Sequence, residues 1–155
     1  MVEREFYLLI RDIIKTKEFQ EMKKYKHHIK SNLYIHSIRV AYFCFKYHKK
    51  HKLKVSINEF VRGALLHDFY LYNLHGGTEK HRFHWIKHPK IALENALKRY
   101  PDLTKTEQDM IKHHMFPLTI IPPKTKAGWV VCFYDKVAAF VDRFGKNKKL
   151  KRSNK

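Results

Sequence analysis

The stretch Gly63-Ala-Leu-Leu-His-Asp-Phe69 places a histidine and an aspartate side by side within an apolar run. We therefore expect His67 and Asp68 to be buried together. Burying an ionised carboxylate is costly unless the carboxylate is paired or coordinates a metal. Asp135 repeats this situation in the apolar run Cys132-Phe-Tyr-Asp-Lys-Val137. Two carboxylates in apolar helix interiors favour a bound cation as their common partner.

Histidines recur around this pair at intervals that suit helices. A single histidine on an apolar helix face is more often a core residue than a ligand, so the prediction rests on the whole set. Imidazole and carboxylate groups hold divalent transition metals such as Fe, Mn, Ni, Co or Zn. The candidate metal ligands are His36, His67, Asp68, His88, His113, His114 and Asp135.

His84 is an alternative ligand, because it lies four residues before His88 and would share its helix face. A residue that precedes a proline is biased away from helical geometry, and His88 precedes Pro89. This bias favours His88 as a ligand at a helix N-terminus and makes His84 the weaker candidate. His75 and His81 flank the adjacent glycines Gly76 and Gly77, and the sequence does not decide whether they line the entrance to a site.

Composition indicates one globular domain that carries a large positive charge. The chain has 155 residues, of which 44% are hydrophobic, and its five glycines and five prolines argue against a turn-dense β fold. The formal net charge is +19. Such a field attracts polyanions such as nucleotides, nucleic acid, phosphate esters or an anionic membrane surface, although a solvated basic surface is the alternative interpretation.

The cysteines and the apolar runs indicate a soluble cytoplasmic protein. Cys44 and Cys132 each lie in an apolar run, which predicts buried, reduced thiols without a disulfide. The N-terminus becomes charged at once, so no signal peptide is expected. The longest apolar stretch, residues 129–134, is too short to span a bilayer.

Periodicity and capping signals predict an all-α fold with one domain over residues 1–145. The ligand-bearing core is residues 31–143, and residues 146–155 form a basic tail that we expect to be mobile. We expect a surface loop at 117–127. The predicted helices are a stripe within 3–28, one at 32–50 capped by Ser31, one from the capping box Ser56-Ile-Asn-Glu59, one from His88-Pro89, one from the capping box Thr104-Lys-Thr-Glu107, and one at 128–144 stopped by Gly145.

The ordered ligand set resembles the HD superfamily of metal-dependent phosphohydrolases over about residues 31–143. The four residues His36, His67, Asp68 and Asp135 alone are similar to its single-metal members. With the other histidines, the set resembles the two-metal members, which include cyclic-dinucleotide phosphodiesterases, diadenosine-polyphosphate hydrolases and mixed-valent di-iron oxygenases. The segments 67–72, 88–95 and 112–118 also resemble small bacterial HD domain proteins.

This resemblance implies an all-α helical bundle with a metal site in its core and two divalent transition-metal ions. The implied activity is hydrolysis of a phosphomonoester or phosphodiester of a nucleotide or another phosphorylated metabolite. Asp68 and His67 would be catalytic, and Asp68 would bridge the two ions. The implied ligands of one ion are His36, His67 and Asp135, and those of the other are His88, His113 and His114.

The chain departs from many two-metal phosphodiesterases of the superfamily at Leu71, where these have a lysine. The candidates for substrate binding in its place are Arg39, Lys112 and Lys136. Two other functions stay open: a di-iron oxygenase on the same ligands, and a non-catalytic module that binds nucleic acid or an effector. The sequence leaves the identity of the substrate, the metal and the oligomeric state open.

Overall fold

Helices account for most of the chain in the computed structural model. The structure describes residues 2–28, 31–71 and 84–145, without the side chains of residues 27, 28, 84 and 85. The prediction of an all-α fold is confirmed. A 3-10 turn at Met22–Lys24 and an antiparallel pair, β1 (Lys26–His28) with β2 (Ser31–Asn32), connect two of the helices. Within the described ranges the helices are α1 (Val2–Ile14), α2 (Lys17–Glu21), α3 (Leu33–His51), α4 (Ile57–Leu66), α5 (His84–Arg99), α6 (Lys105–His113) and α7 (Lys126–Phe144).

Side-chain caps fix where several helices begin. Thr104 forms the full capping box with Glu107 at the start of α6, as predicted. Ser56 accepts a hydrogen bond from the backbone N–H of Glu59 at 3.2 Å and begins α4. The predicted cap Ser31 is wrong, because Ser31 lies in β2 and Asn32 accepts the bond from the Ile35 N–H at 2.9 Å instead.

Two predicted helix boundaries are also corrected. The apolar stripe within 3–28 is divided after Ile14, because Thr16 accepts a hydrogen bond from the Phe19 N–H and begins a new helix. Helix α5 begins at His84, so Pro89 is inside the helix and His88 is not at its N-terminus. We attribute this to the buried contacts of the His88 ring, which outweigh the local bias of a residue before proline.

The core lies between α3, α4, α6 and α7, with α1 packed against α4 and, through Phe6, against α3. Phe6 of α1 contacts the rings of Tyr42 and Phe45, with centroids 5.2 and 5.5 Å apart. Fully burying one such side chain is worth about 1.5–3 kcal/mol. Within the described residues both cysteines are buried free thiols, as predicted. None of the described helices is long and apolar enough to cross a membrane.

Helices α4 and α6 approach each other closely at Gly63. A Cβ atom built on Gly63 would lie 2.3 Å from Cε of Met110 and 3.3 Å from Cα of Glu107. The preceding residue, Arg62, forms a paired salt bridge with the buried Glu107, through Nε–Oε1 at 2.6 Å and Nη2–Oε2 at 2.9 Å. This close packing brings the C-terminal ends of α4 and α6 together, and both ends carry candidate ligands.

The predicted boundary between the domain and its tail lies at the edge of what the structure describes. Helix α7 ends at Phe144, and Gly145 is its C-cap, as predicted, with its N–H bonded to the carbonyl of Val141. The tail, residues 146–155, lies outside the described residues. The paired glycines at 76–77 and His75 and His81 beside them lie outside as well.

Candidate metal centre

Five helices bring six of the seven predicted ligands to one buried location. His36 is on α3 and His88 is on α5, while Asp135 is on α7. The other three follow helix ends: His67 caps α4 with Asp68 next to it, and His114 caps α6. All six side chains are buried in the core between these helices.

The first group of ligands consists of His36, His67, Asp68 and Asp135, whose candidate ligand atoms all lie within 4.8 Å of one another. Oδ1 of Asp135 is 3.0 Å from Nε2 of His36 and 3.4 Å from Nε2 of His67. Oδ2 of Asp68 is 3.8 and 3.6 Å from the same two nitrogens. Two imidazoles and two carboxylates therefore converge on one point.

The second group consists of Asp68, His88 and His114. Oδ1 of Asp68 lies 3.1 Å from Nε2 of His88 and 3.4 Å from Nε2 of His114, and these two nitrogens are 2.9 Å apart. Asp68 thus directs one carboxylate oxygen at each group. This is the arrangement expected of a carboxylate that bridges two cations.

Backbone carbonyls fix the orientation of two of the imidazoles. Nδ1 of His67 is 2.8 Å from the carbonyl of Ala64, and Nδ1 of His114 is 2.8 Å from the carbonyl of Ile111. A carbonyl only accepts hydrogen bonds, so Nδ1 carries the proton in both rings. In the neutral ring, Nε2 then presents a lone pair toward the carboxylates. Nε2 of His67 is buried without a hydrogen-bond partner among the described residues, as expected for a metal ligand.

Burial and the neighbouring groups set the charge state of the centre. Burial lowers the pKa of His114, which keeps its ring neutral and able to donate a lone pair. Burial alone would raise the pKa of Asp68, but the nearby imidazoles of His67 and His88 outweigh it and hold that pKa well below its usual value. The pKa of Asp135 is lowered in the same way by His36 and His67. Anionic oxygens and neutral imidazoles are the donor set of a transition-metal site.

Asp142 is a residue of this centre that the sequence analysis missed. Its fully buried carboxylate has Oδ2 at 2.7 Å from Nδ1 of His36 and Oδ1 in contact with Nη1 of Arg39. A carboxylate behind a ligating histidine orients the ring and raises its basicity. The available signal was the seven-residue spacing from Asp135, which places both carboxylates on the same face of α7.

His113 does not join either group. Its Nδ1 lies 2.8 Å from Oδ1 of Asp109. Asp109 also accepts hydrogen bonds from the backbone N–H groups of Lys124 and Thr125 and from the Thr125 hydroxyl. Burial would raise the pKa of Asp109, but these hydrogen bonds outweigh it and lower the pKa. His113 therefore contacts the network that attaches the loop before α7 to α6.

The three predicted substrate-binding cations lie in different surroundings. The partially exposed Arg39 is paired with Asp142. Nζ of Lys136 donates to the carbonyls of His114 and Cys132 and lies 3.9 Å from Oδ2 of Asp135. Lys112 is exposed on α6. The side chain of His84, the alternative ligand, lies outside the described residues.

Comparison with known proteins identifies the family. The family model of the HD domain matches residues 33–140, which include every ligand of both groups and end just before Asp142. No curated protein and no solved structure matches the chain. The match covers well over half of the sequence, and the helical fold with its buried His/Asp groups agrees with it. The chain therefore belongs to the HD domain family, whose members are mostly metal-dependent hydrolases.

Proposed function

We propose that this protein is a metal-dependent phosphohydrolase with a two-metal His/Asp site. The observation that carries the proposal is the position of Asp68, whose two oxygens face two separate groups of buried imidazoles. The proposed substrate is a phosphomonoester or phosphodiester of a nucleotide or another phosphorylated metabolite. The net charge of +19 supports an anionic substrate, because such a field raises its local concentration.

The donor atoms fit two divalent transition-metal ions. The first group would hold one ion through four residues, and the second would hold the other through Asp68, His88 and His114. When bound, such ions neutralise charge on phosphoryl oxygens and make a coordinated water more acidic. Among the described residues the second group has fewer protein donors than the first, which leaves it more room for substrate or water.

Hydrogen bonds within the protein fix the orientation of the donor side chains before substrate binds. The carbonyls of Ala64 and Ile111 hold the protons of His67 and His114 on Nδ1 and aim both Nε2 atoms inward. Asp142 does the same for His36. These preset orientations avoid reorganisation during the reaction, which is how an active site stabilises developing charge.

Lys136 is the predicted cation best placed to help bind phosphate. Its side chain is 42% exposed, and Nζ lies 3.9 Å from the carboxylate of Asp135. Arg39 is engaged by Asp142 instead, and Leu71 carries no charge. We propose that Lys136 contacts a phosphoryl oxygen of the bound substrate at the edge of the first group, where it would offset charge that the ions do not.

The test is turnover by purified protein reconstituted with Mn, Co, Ni, Zn or Fe under anaerobic conditions. The substrates are bis(p-nitrophenyl) phosphate, p-nitrophenyl phosphate and a panel of nucleotides. Release of product should require metal and should be lost in Asp68→Asn. The matched control is Asp12→Asn, at an exposed aspartate on α1. Fully metal-loaded protein that hydrolyses none of these substrates would contradict the proposal.

A di-iron oxygenase is the second candidate, and Leu71 is the observation that favours it. An apolar residue at this position removes the phosphate-binding cation that many two-metal phosphodiesterases have there, which suits an organic substrate without phosphate. The discriminating measurement is oxygen uptake by the iron-loaded protein with a panel of polyols and other small organic substrates. Substrate-dependent uptake without phosphoester turnover would select the oxygenase.

A further inference from the structure

A cavity of about 500 Å³ lies between α1 and α3, bounded by the C-terminal end of α7. It is separate from the metal ligands, none of which lines it. The volume falls within the range of small-molecule sites in proteins, which is about 300–1,000 Å³. Its walls are mainly aliphatic and aromatic, with Phe6, Ile10, Ile14, Ile38, Tyr42 and Val141 among the lining residues.

Arg39 is the one cationic side chain that lines this cavity among the described residues. Its side chain is 25% exposed, and burial lowers the pKa of its guanidinium, although an arginine stays protonated. Asp142 is its ionic partner and contacts Nη1. A guanidinium has five N–H donors, so donors remain for a second acceptor on the cavity side.

We propose that this cavity binds a single-chain amphiphile with a carboxylate head, of the fatty-acid class. The carboxylate would pair with Arg39, and the alkyl chain would lie between the apolar faces of α1 and α3. The contact with Asp142 is at Nη1, so the Nε and Nη2 edge of the guanidinium can offer two parallel N–H donors to the carboxylate head. Among the described lining residues Glu3 is the acidic one; it is exposed on the first turn of α1 and disfavours a head with two negative charges.

This site does not depend on the proposed hydrolase activity, because its lining contains no metal ligand. Arg39 nevertheless connects it to the centre. The same Asp142 that contacts Arg39 holds Nδ1 of His36 at 2.7 Å. A carboxylate bound to Arg39 would therefore be separated from the candidate metal ligand His36 by two residues, Arg39 and Asp142.

The first test is a chain-length series on the purified full-length protein, measured by isothermal titration calorimetry. Hexanoate, octanoate and decanoate are titrated below the concentrations at which they form micelles, beside the primary alcohols of the same lengths. We expect one site per chain. Affinity should rise about fourfold per added methylene, because burying one is worth about 0.8 kcal/mol, until the cavity is filled. Affinity without chain-length dependence, or no saturable binding, would overturn the proposal.

The second test uses three variants with thermal unfolding as a check on folding. Arg39→Gln should weaken carboxylate binding about tenfold or more, the loss expected for one charge-assisted hydrogen bond, and should leave alcohol binding unchanged. Ile35→Trp narrows the cavity at a residue that is 40% exposed and should weaken both ligand series. The matched control is Ile120→Trp, at an exposed isoleucine outside the lining. Equal losses in Ile35→Trp and Ile120→Trp would show adsorption to the surface and not binding in the cavity, as would an unchanged carboxylate preference in Arg39→Gln.

Discussion

The two ligand groups that share Asp68 differ at one imidazole. Backbone carbonyls hold both His67 of the first group and His114 of the second, but a carboxylate holds His36. In the first group, Asp142 holds His36 through a carboxylate that is itself in contact with Arg39. In the second group, a backbone carbonyl holds His114, at Ile111. A carboxylate raises the basicity of the histidine in front of it more than a neutral carbonyl does. Among the described residues, the first group therefore has more donor atoms, and the carboxylate of Asp142 makes one of its imidazoles more basic.

This difference implies an order of metal binding. Within the part of the chain that the structure describes, the first group has two carboxylates and two imidazoles, and the second has one shared carboxylate and two imidazoles. Greater negative charge and more donors favour tighter binding of a divalent cation. We expect the first group to fill at lower metal concentration, with the second group filling afterwards around the oxygen of Asp68 that remains. We expect the following substitutions to distinguish the two groups, from the largest effect to the smallest.

Asp68→Asn should have the largest effect, because it changes the one residue common to both groups. The amide keeps the size of the side chain but removes the charge that both ions would share. We expect both ions to bind more weakly and turnover to fall more than 100-fold, a loss of at least about 2.7 kcal/mol of transition-state stabilisation. Elemental analysis and phosphodiester turnover give the result, with Asp12→Asn as the control. Near-normal metal content in Asp68→Asn would mean that Asp68 is not a bridge.

His88→Ala and His36→Ala should remove one ion each, but different ones. His88 lies 3.1 Å from Oδ1 of Asp68, whereas His36 lies on the Oδ2 side with Asp135. His88→Ala should therefore retain the tighter ion, and His36→Ala should lose it. Titration with Co²⁺, followed by its visible absorption, distinguishes the two sites. If His88→Ala lost both ions, the groups would not be separable in the way the geometry indicates.

The sequence predicted the burial of the candidate ligands that lie within apolar runs of the chain. Asp68 and Asp135 lie within apolar runs, so their need for a cation could be inferred without any tertiary contact. The helix order followed from caps such as Thr104 and from periodicity. The predicted start of α5 was wrong, because the true start depends on the buried contacts of His88, which are long-range.

The sequence analysis missed Asp142 and did not distinguish His113 from His114, for two physical reasons. Asp142 is followed by Arg143 and lies near the basic tail, so its local sequence is typical of a solvated helix end. Its burial results from contact with His36, which is 106 residues away. Neighbouring residues on a helix point about 100° apart, so only one of two adjacent histidines faces the centre. Sequence alone does not show which one does.

Asp142→Asn should weaken the first site without affecting the second. The amide can still accept a hydrogen bond from Nδ1 of His36, but it no longer raises the basicity of the ring. Metal affinity at the first group should fall about 10- to 100-fold, the usual cost of removing such a support. Competition with a chelator measures both affinities. Asp102→Asn is the control, because Asp102 is an exposed partner of Arg62 and belongs to neither ligand group.

The metal affinity of the second site distinguishes a local role of Asp142 from a structural one. If the second site weakened as much as the first, Asp142 would act on the fold as a whole and not through His36. Thermal unfolding of the metal-free variants separates these cases. A purely structural role lowers the melting temperature in the absence of metal, whereas support of His36 appears mainly as a lower affinity of one site.

His113→Ala and His114→Ala change neighbouring histidines and form a matched pair. We expect His113→Ala to have the smallest effect on metal binding and turnover, and His114→Ala to affect the second group selectively. His114→Ala removes a donor of the second group and should lose one ion. His113→Ala should keep both ions and hold turnover within about threefold, under about 1 kcal/mol. It should instead lower the free energy of unfolding by about 1–3 kcal/mol, because a buried hydrogen bond to Asp109 is lost.

The pH dependence of unfolding in His113→Ala tests whether His113 supports Asp109. The hydrogen bonds to Asp109 lower its pKa in the folded protein, so their contribution to stability is present above the unfolded pKa of about 3.9. That contribution is lost as pH falls through the lower folded value. His113→Ala removes one of these bonds and should make unfolding in acid less steep, as measured by urea unfolding between neutral and acidic pH. Loss of an ion in His113→Ala, with an unchanged acid profile, would instead make His113 a ligand.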